Sequence, residues 1–101
     1  MVFKIELKPI VLVDLDEAIS WYEAEQKGLG EKFFNSFVKA KDKIRKNPHR
    51  YPNIIPKVKR VLLKKFPYKL FYTYTENTVI ILGVTHAKRS NAYLRKRLKS
   101  L

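Results

Sequence analysis

Cations interleaved with aromatic residues dominate the second half of this 101-residue chain. Lys57, Lys59, Arg60, Lys64, Lys65 and Lys69 are followed by Lys88, Arg89, Arg95, Lys96, Arg97 and Lys99, with Tyr68, Tyr72 and Tyr93 among them. Side chains of these types hold phosphates and stack on bases. A carboxylate-rich protein surface satisfies the cations as well. Any single lysine is most simply a solvated surface residue, but the local excess calls for more. Residues 51–101 carry twelve Lys and Arg against one acid, Glu76, a net of +11, whereas residues 1–50 carry ten against eight, a net of +2. The total of +13 makes self-repulsion a cost to the isolated chain. An anionic partner is therefore expected, with Lys59, Arg60, Lys64, Lys65, Lys69, Lys88, Arg89 and Arg95 as contact residues.

Proton transfer has one candidate in this half. His86 ends an apolar run, and an imidazole titrates near neutral pH, although hydrogen bonding to backbone is its simpler role there. Arg89 and Tyr93 follow closely. A buried ion pair from Arg89 to Glu17 or Asp14 competes with a binding role for that arginine. The chain has no cysteine, so disulfides, thiolate metal sites and thiol nucleophiles are excluded. His49 and His86 lie in separate segments without a carboxylate cluster, so neither a metal site nor a cofactor is expected. Gly28-Leu29-Gly30 follows a helix rather than a strand and reads as a helix stop, not a phosphate cradle. The N-terminal MVFKIELKP is charged throughout and is no signal peptide. The longest apolar run, Val79–Val84, is too short to span a membrane. A soluble, cytoplasmic protein without membrane contact is the expectation.

One domain, residues 1–101, must position these groups. Phe3, Ile5 and Leu7 alternate with Lys4 and Glu6, the pattern of a half-buried strand that Pro9 ends. From Ile10 to Glu25, Leu12, Leu15, Ile19 and Tyr22 recur at helical spacing, with most of the acids opposite. A second helix is predicted from Glu31 to Lys46, with Phe33 or Phe34, Phe37, Ala40 or Lys41, and Ile44 inward. Asn47-Pro48 stops it. The two helices form a hairpin in which Trp21 and Tyr22 are read as packing. Tyr51–Lys57, with Pro52 and Pro56, reads as a loop. Three strands follow, Val58–Lys65, Tyr68–Thr75 and Thr78–His86. Phe66-Pro67 turns or bulges between the first two, and Glu76-Asn77 is a tight turn between the last two. Val79–Val84 is apolar on both faces, as a covered central strand would be. Ser90-Asn91 caps a short last helix bearing Leu94, Leu98 and Leu101. The class is α+β, ordered β-α-α-β-β-β-α, with a helical hairpin on one face of a mostly antiparallel four-stranded sheet. One hairpin cannot cover both faces, so a groove on the second face is expected to receive another chain.

Six segments, in order and spanning nearly the whole chain, resemble the RelE/ParE superfamily of bacterial toxins. They are Asp14-Leu15-Asp16-Glu17-Ala18, Trp21-Tyr22-Glu23, Gly28-Leu29-Gly30-Glu31-Lys32-Phe33, Ile44-Arg45-Lys46-Asn47-Pro48, Phe66-Pro67-Tyr68-Lys69-Leu70-Phe71-Tyr72 and Val84-Thr85-His86-Ala87-Lys88-Arg89. They are most similar to the ParE-like, plasmid-stabilisation members. The resemblance implies the growth-inhibiting toxin of a type II toxin–antitoxin system. It also implies a hetero-oligomer with a cognate antitoxin, whose acidic or amphipathic segment covers the spare groove. ParE-like members act on DNA gyrase. RelE-like members are ribosome-dependent, metal-independent mRNA endonucleases. Fold alone does not choose between them. Under the second reading the resemblance assigns catalysis to Arg60, Lys69, His86 or Arg89, and Tyr93, which would take the 2′-hydroxyl proton and stabilise the phosphorane. Leu62 and Ala87 stand where that pattern has a strand lysine and an arginine, which favours the ParE-like reading. A non-catalytic basic nucleic-acid-binding module is the third alternative.

Overall fold

The computed structural model describes residues 2–99. The alternating N-terminus forms β1 (Lys4–Leu7), and Pro9, at the first position of the next element, opens α1 (Pro9–Glu25). After α2 (Leu29–Lys46) and a single 3-10 turn come β2 (Asn53–Ile55), β3 (Val58–Leu62), β4 (Tyr68–Tyr74) and β5 (Thr78–His86), then α3 (Asn91–Leu98). The sheet order is β1-β5-β4-β3-β2, with β1 parallel to β5 and every other pairing antiparallel. The expected α+β class and element order are present, with five strands rather than four. The added strand, β2, sits between Pro52 and Pro56 in the segment read as a loop. At the sheet edge, prolines flanking a three-residue strand remove no ladder bond it needs. β3 stops at Leu62, short of Lys65, whose φ of 73° is incompatible with a continuing strand.

The α1–α2 turn is closed by one side chain. The Glu23 carboxylate accepts from the backbone N–H of Gly28 and of Gly30, the donors left free at the start of α2. Gly28 adopts φ 89°, which suits glycine, and a Cβ on Gly30 would lie 2.8 Å from the Ile19 carbonyl oxygen. Val11, Leu15 and Ala18 of α1 meet Phe33, Phe37, Ala40 and Ile44 of α2 over Leu70, Tyr72, Val79, Ile81 and Val84 of the sheet. Two assignments on this hairpin are corrected. Leu12, placed on the inner stripe, points outward at 63% exposure, with Val11 taking the buried position. Trp21, read as packing, is 58% exposed, whereas Tyr22 is packed among Phe33, Phe66 and Tyr68.

The second face is not an open groove. Leu94 of α3 is fully buried there against Ile55, Val58, Phe71 and Leu82, with Tyr93 and Leu98 alongside. A β-bulge in β5 at Leu82 puts Gly83 opposite Phe71, whose ring fills the space a Cβ would need. The Ser90 hydroxyl accepts from the Tyr93 N–H and caps α3 as expected. Leu101, assigned to this helix, lies outside the described residues.

Tyr72, expected among the candidate base-stacking residues, is fully buried in the main core, and its hydroxyl donates to the Pro48 carbonyl at 2.6 Å. Burial, then the neighbouring Tyr51 and Tyr74, push its pKa well above the usual 10.0. Above pH 10 the unfolded phenol loses its proton while the folded one keeps it, so stability falls as pH rises there. Urea melts at pH 9 and pH 11 are expected to show this decline. Tyr72→Phe, at a cost of about 1 kcal/mol at neutral pH for the lost hydrogen bond, is expected to flatten it.

Candidate functional site

The open groove lies at the edge of the sheet. β1 pairs with β5 only as far as Leu7 opposite Ile81, so the last residues of β5 have no strand on that side. There α1 and α3 approach each other and leave a groove of about 540 Å3, walled by Trp21, Tyr22, Tyr68 and Tyr93 and floored by Val84–His86.

Asp14 holds the groove together. Its carboxylate accepts the Val84 N–H at 3.0 Å, occupying a donor the open edge would otherwise leave free, and takes both terminal nitrogens of Arg97 from α3. Side-chain exposures of 8% for Asp14 and 16% for Arg97 mark a nearly buried, bidentate pair. Burial opposes the Arg97 charge, but bonds to Asp14 and Tyr93 outweigh it and raise the guanidinium pKa. The ion pair considered for Arg89 thus belongs to Arg97, eight residues on. Arg97 was read only as one of many cations. The sequence signal that distinguishes it is position: it lies two turns after the Ser90 cap, three and four residues beyond Leu94 and Tyr93 on the buried side of a short helix.

Arg89 is left exposed at the groove, its guanidinium 4.6 Å from the centre of the Tyr93 ring. The turn carrying it is pinned at several points. Ala87 N–H donates to Pro67 O, Arg89 N–H to His86 O, and Asn91 Nδ2 to Ile54 O. Lys69 supplies the deepest anchor. Its side chain leaves only 6% exposed, and Nζ donates to the Arg89 carbonyl at 2.8 Å. Burial, then nearby Arg60, lower its pKa. Expected on the binding surface, Lys69 is a strut beneath it.

His86 lines the groove beside Tyr68, ring centres 5.5 Å apart. Its Nδ1 accepts the Lys88 N–H at 3.1 Å, which leaves Nε2 as the ring nitrogen not engaged by the backbone. Tyr22 and Tyr68 remain neutral donors. Burial raises both pKa values; the Tyr68 phenol adds to the Tyr22 shift, while for Tyr68 the Arg89 charge partly offsets burial and Glu17 adds to it.

The remaining candidates scatter. Arg60 shares the α3 face of the sheet with Lys69, separated from it by one strand position, and Leu62 next to it is 54% exposed. Lys59 points to the opposite face of β3 and donates Nζ to Tyr51 O. Lys64 and Lys65 lie in the β3–β4 turn, and Lys88 and Arg95 are exposed on the approach to α3 and on α3 itself. Thus His86, Arg89 and Tyr93 gather at the edge groove, Arg60 and Lys69 sit on the neighbouring sheet face, and the others do not converge there. Trp21 is the wall residue that sequence reasoning sent to the core. No group of three or more His, Asp or Glu side chains able to hold a metal ion occurs among the described residues, and none of their helices is long and apolar enough to cross a membrane.

Comparison with known proteins agrees with this geometry. The family model for the ParE toxin of type II toxin–antitoxin systems, parDE, matches residues 5–91. No curated protein matches the sequence. Among solved structures, a chain of the chromosomal ParDE system from P. aeruginosa superposes with a TM-score of 0.75 at 15% identity, covering 84% of this chain and 96% of that one. The isolated E. coli RelE toxin gives 0.62 at 17% identity, covering 98% and 99%. The archaeal RelE–RelB complex from Pyrococcus horikoshii gives 0.56 at 12% identity, covering 89% and 100%. These identities speak for the fold, and the family match extends over both helices of the hairpin, all of the sheet but Lys4, and the turn that carries Arg89. The chain belongs to the ParE toxin family of type II toxin–antitoxin systems.

Proposed function

We propose that the protein arrests bacterial growth by acting on DNA gyrase through the edge groove, and that a cognate antitoxin holds it inactive as a hetero-oligomer. The observation that carries the choice of target is the burial of Lys69 with its ammonium committed to the Arg89 carbonyl. Metal-free RNA cleavage needs several free cations and a base around one phosphate. Lys69 is withdrawn from that role, Leu62 and Ala87 bring no charge, and Tyr22 and Tyr68 are held as neutral donors. The groove supplies instead a large exposed aromatic, Trp21, beside Arg89 and Tyr93, residue types that anchor protein–protein contacts.

The ribonuclease reading retains one supporting observation, the Arg89 guanidinium stacked on Tyr93 beside His86. Induced expression in a bacterial host, with and without the neighbouring gene, tests the proposal. Growth arrest that the neighbour relieves, accompanied by a DNA-damage response and intact translated message, is the expected outcome. Unimpaired growth with well-folded protein contradicts the toxin assignment, and codon-registered message cuts contradict the gyrase assignment.

A further inference from the structure

Carboxylates are scarce in this chain, yet α1 concentrates them. Asp14, Asp16, Glu17, Glu23 and Glu25 are five of the nine acids, and α1 carries no Lys or Arg. Two of the five have structural partners. Asp14 holds Arg97 and the Val84 N–H, and Glu23 closes the α1–α2 turn. Asp16 and Glu25 are exposed and lie off the edge groove. Glu17 is exposed too, but it lines that groove. The one ion pair among the described residues is that of Asp14 with Arg97, so Glu17 is unpaired although Arg89 lines the same groove.

The surroundings of Glu17 suit a cation. Trp21 stands one helical turn further along the same face of α1, and Tyr22 and Tyr68 continue the aromatic wall. Aromatic rings beside a carboxylate attract a cation through ring quadrupole and charge together. A guanidinium gains most, because it stacks on a ring while its edge donates to a carboxylate. Arg89 lies over Tyr93 instead, and Tyr68 senses both charges, Arg89 lowering its pKa and Glu17 raising it. The groove thus offers one site for a cation and another for an anion. A second groove, between α2 and the β3–β4 turn, makes the contrast. Lys32, Lys39, Lys64 and Lys65 line it, and no acid does. A polyanion has that surface open to it, whereas in the edge groove it meets Glu17, a like charge that works against the wrong partner.

We infer that Glu17, Trp21 and Tyr68 form a subsite for an arginine side chain on the surface of the toxin's target, and that Glu17 makes the edge groove selective against polyanions. The inference rests on the proposed function for the identity of that target and deepens it. A target arginine with an acidic neighbour satisfies both charges of the groove, the guanidinium at Glu17 and the carboxylate at Arg89.

Trp21 is the only tryptophan, so its fluorescence reports on the subsite directly. The full chain is titrated with N-acetyl-arginine methylamide, with its neutral isostere N-acetyl-citrulline methylamide, and with single-stranded oligo-thymidine. The arginine probe is expected to shift the emission saturably, with an affinity at least fivefold that of the citrulline probe. Glu17→Gln is expected to abolish that preference. Asp16→Asn, which removes the same charge one residue away and off the groove, is expected to keep it. The oligonucleotide is expected not to displace the arginine probe. In a supercoiling assay with DNA gyrase, Glu17→Gln is expected to need about tenfold more toxin than wild type, and Glu17→Asp to recover most of the loss. Equal binding of the two probes, a preference that survives Glu17→Gln, displacement by the oligonucleotide, or gyrase inhibition unchanged by Glu17→Gln would each overturn the inference. A wild-type chain that leaves gyrase unaffected defeats the gyrase reading, while the fluorescence titration still judges the subsite.

Discussion

Asp14→Ala is expected to destabilise the protein by about 3–5 kcal/mol, the usual cost of removing one partner from a buried ion pair. The carboxylate serves three elements at once. It lies on α1, accepts the Val84 N–H of β5 and holds the Arg97 guanidinium of α3. Alanine would leave a nearly buried guanidinium and an open-edge N–H without their acceptor, and both would have to recover water or shift. Arg97 also lies over the Phe71 ring, 5.6 Å from its centre, so losing its anchor disturbs the apolar cluster beneath α3. Asp14→Asn keeps one acceptor oxygen and the volume but not the charge, and is expected to cost less than alanine. Urea midpoints of the two variants check this. A midpoint for Asp14→Ala equal to that of wild type would mean that water replaces the carboxylate without loss, and that Asp14 does not organise the groove.

Trp21→Ala is expected to leave stability within about 1 kcal/mol yet weaken target binding by about 2–4 kcal/mol, roughly 30-fold or more. The two effects separate because the indole is mostly exposed. Its ring meets that of Tyr22 edge-on at 5.0 Å, and Tyr22 keeps its contacts to Phe33, Phe66 and Tyr68 without it. Exposing so large an aromatic ring at the mouth of a groove makes sense as an anchor for a protein surface. The check is the dose of induced protein needed to stop growth, compared with the thermal midpoint of the purified variant. Unchanged toxicity at unchanged stability would remove Trp21 and the edge groove from the functional surface.

The sequence carried the fold well where pattern and packing agree. The strand alternation through Phe3, Ile5 and Leu7, the Gly28 turn, the Glu76-Asn77 hairpin and the Ser90 cap are all local signals, and each element formed where its signal placed it. The misreadings share a cause: burial decided by tertiary partners. Trp21 and Tyr22 are adjacent aromatics on one helix, and only the positions of Phe33, Phe66 and Tyr68 show which of them is packed. Lys69 alternates like a surface strand residue, yet the 87–90 turn folds over it and takes its ammonium. Asp14 pairs with Arg97 across 83 positions of sequence, a contact that no local spacing announces. Asn53–Ile55 is too short and too flanked by proline to read as a strand until β3 is there to pair with it. The charge asymmetry, by contrast, was legible in the composition. What the structure adds is its division between a mixed-charge edge groove and a purely basic groove beside α2.

Gyrase activity with the purified chain tests the central claim most directly. DNA gyrase is incubated with relaxed plasmid and increasing amounts of toxin, and translation of a reporter message with the same toxin runs in parallel. The proposed function requires dose-dependent loss of supercoiling with accumulation of cleaved plasmid, absent with Trp21→Ala at the same dose, while the message stays intact. Unaffected supercoiling together with message cut in register with the ribosome would contradict it.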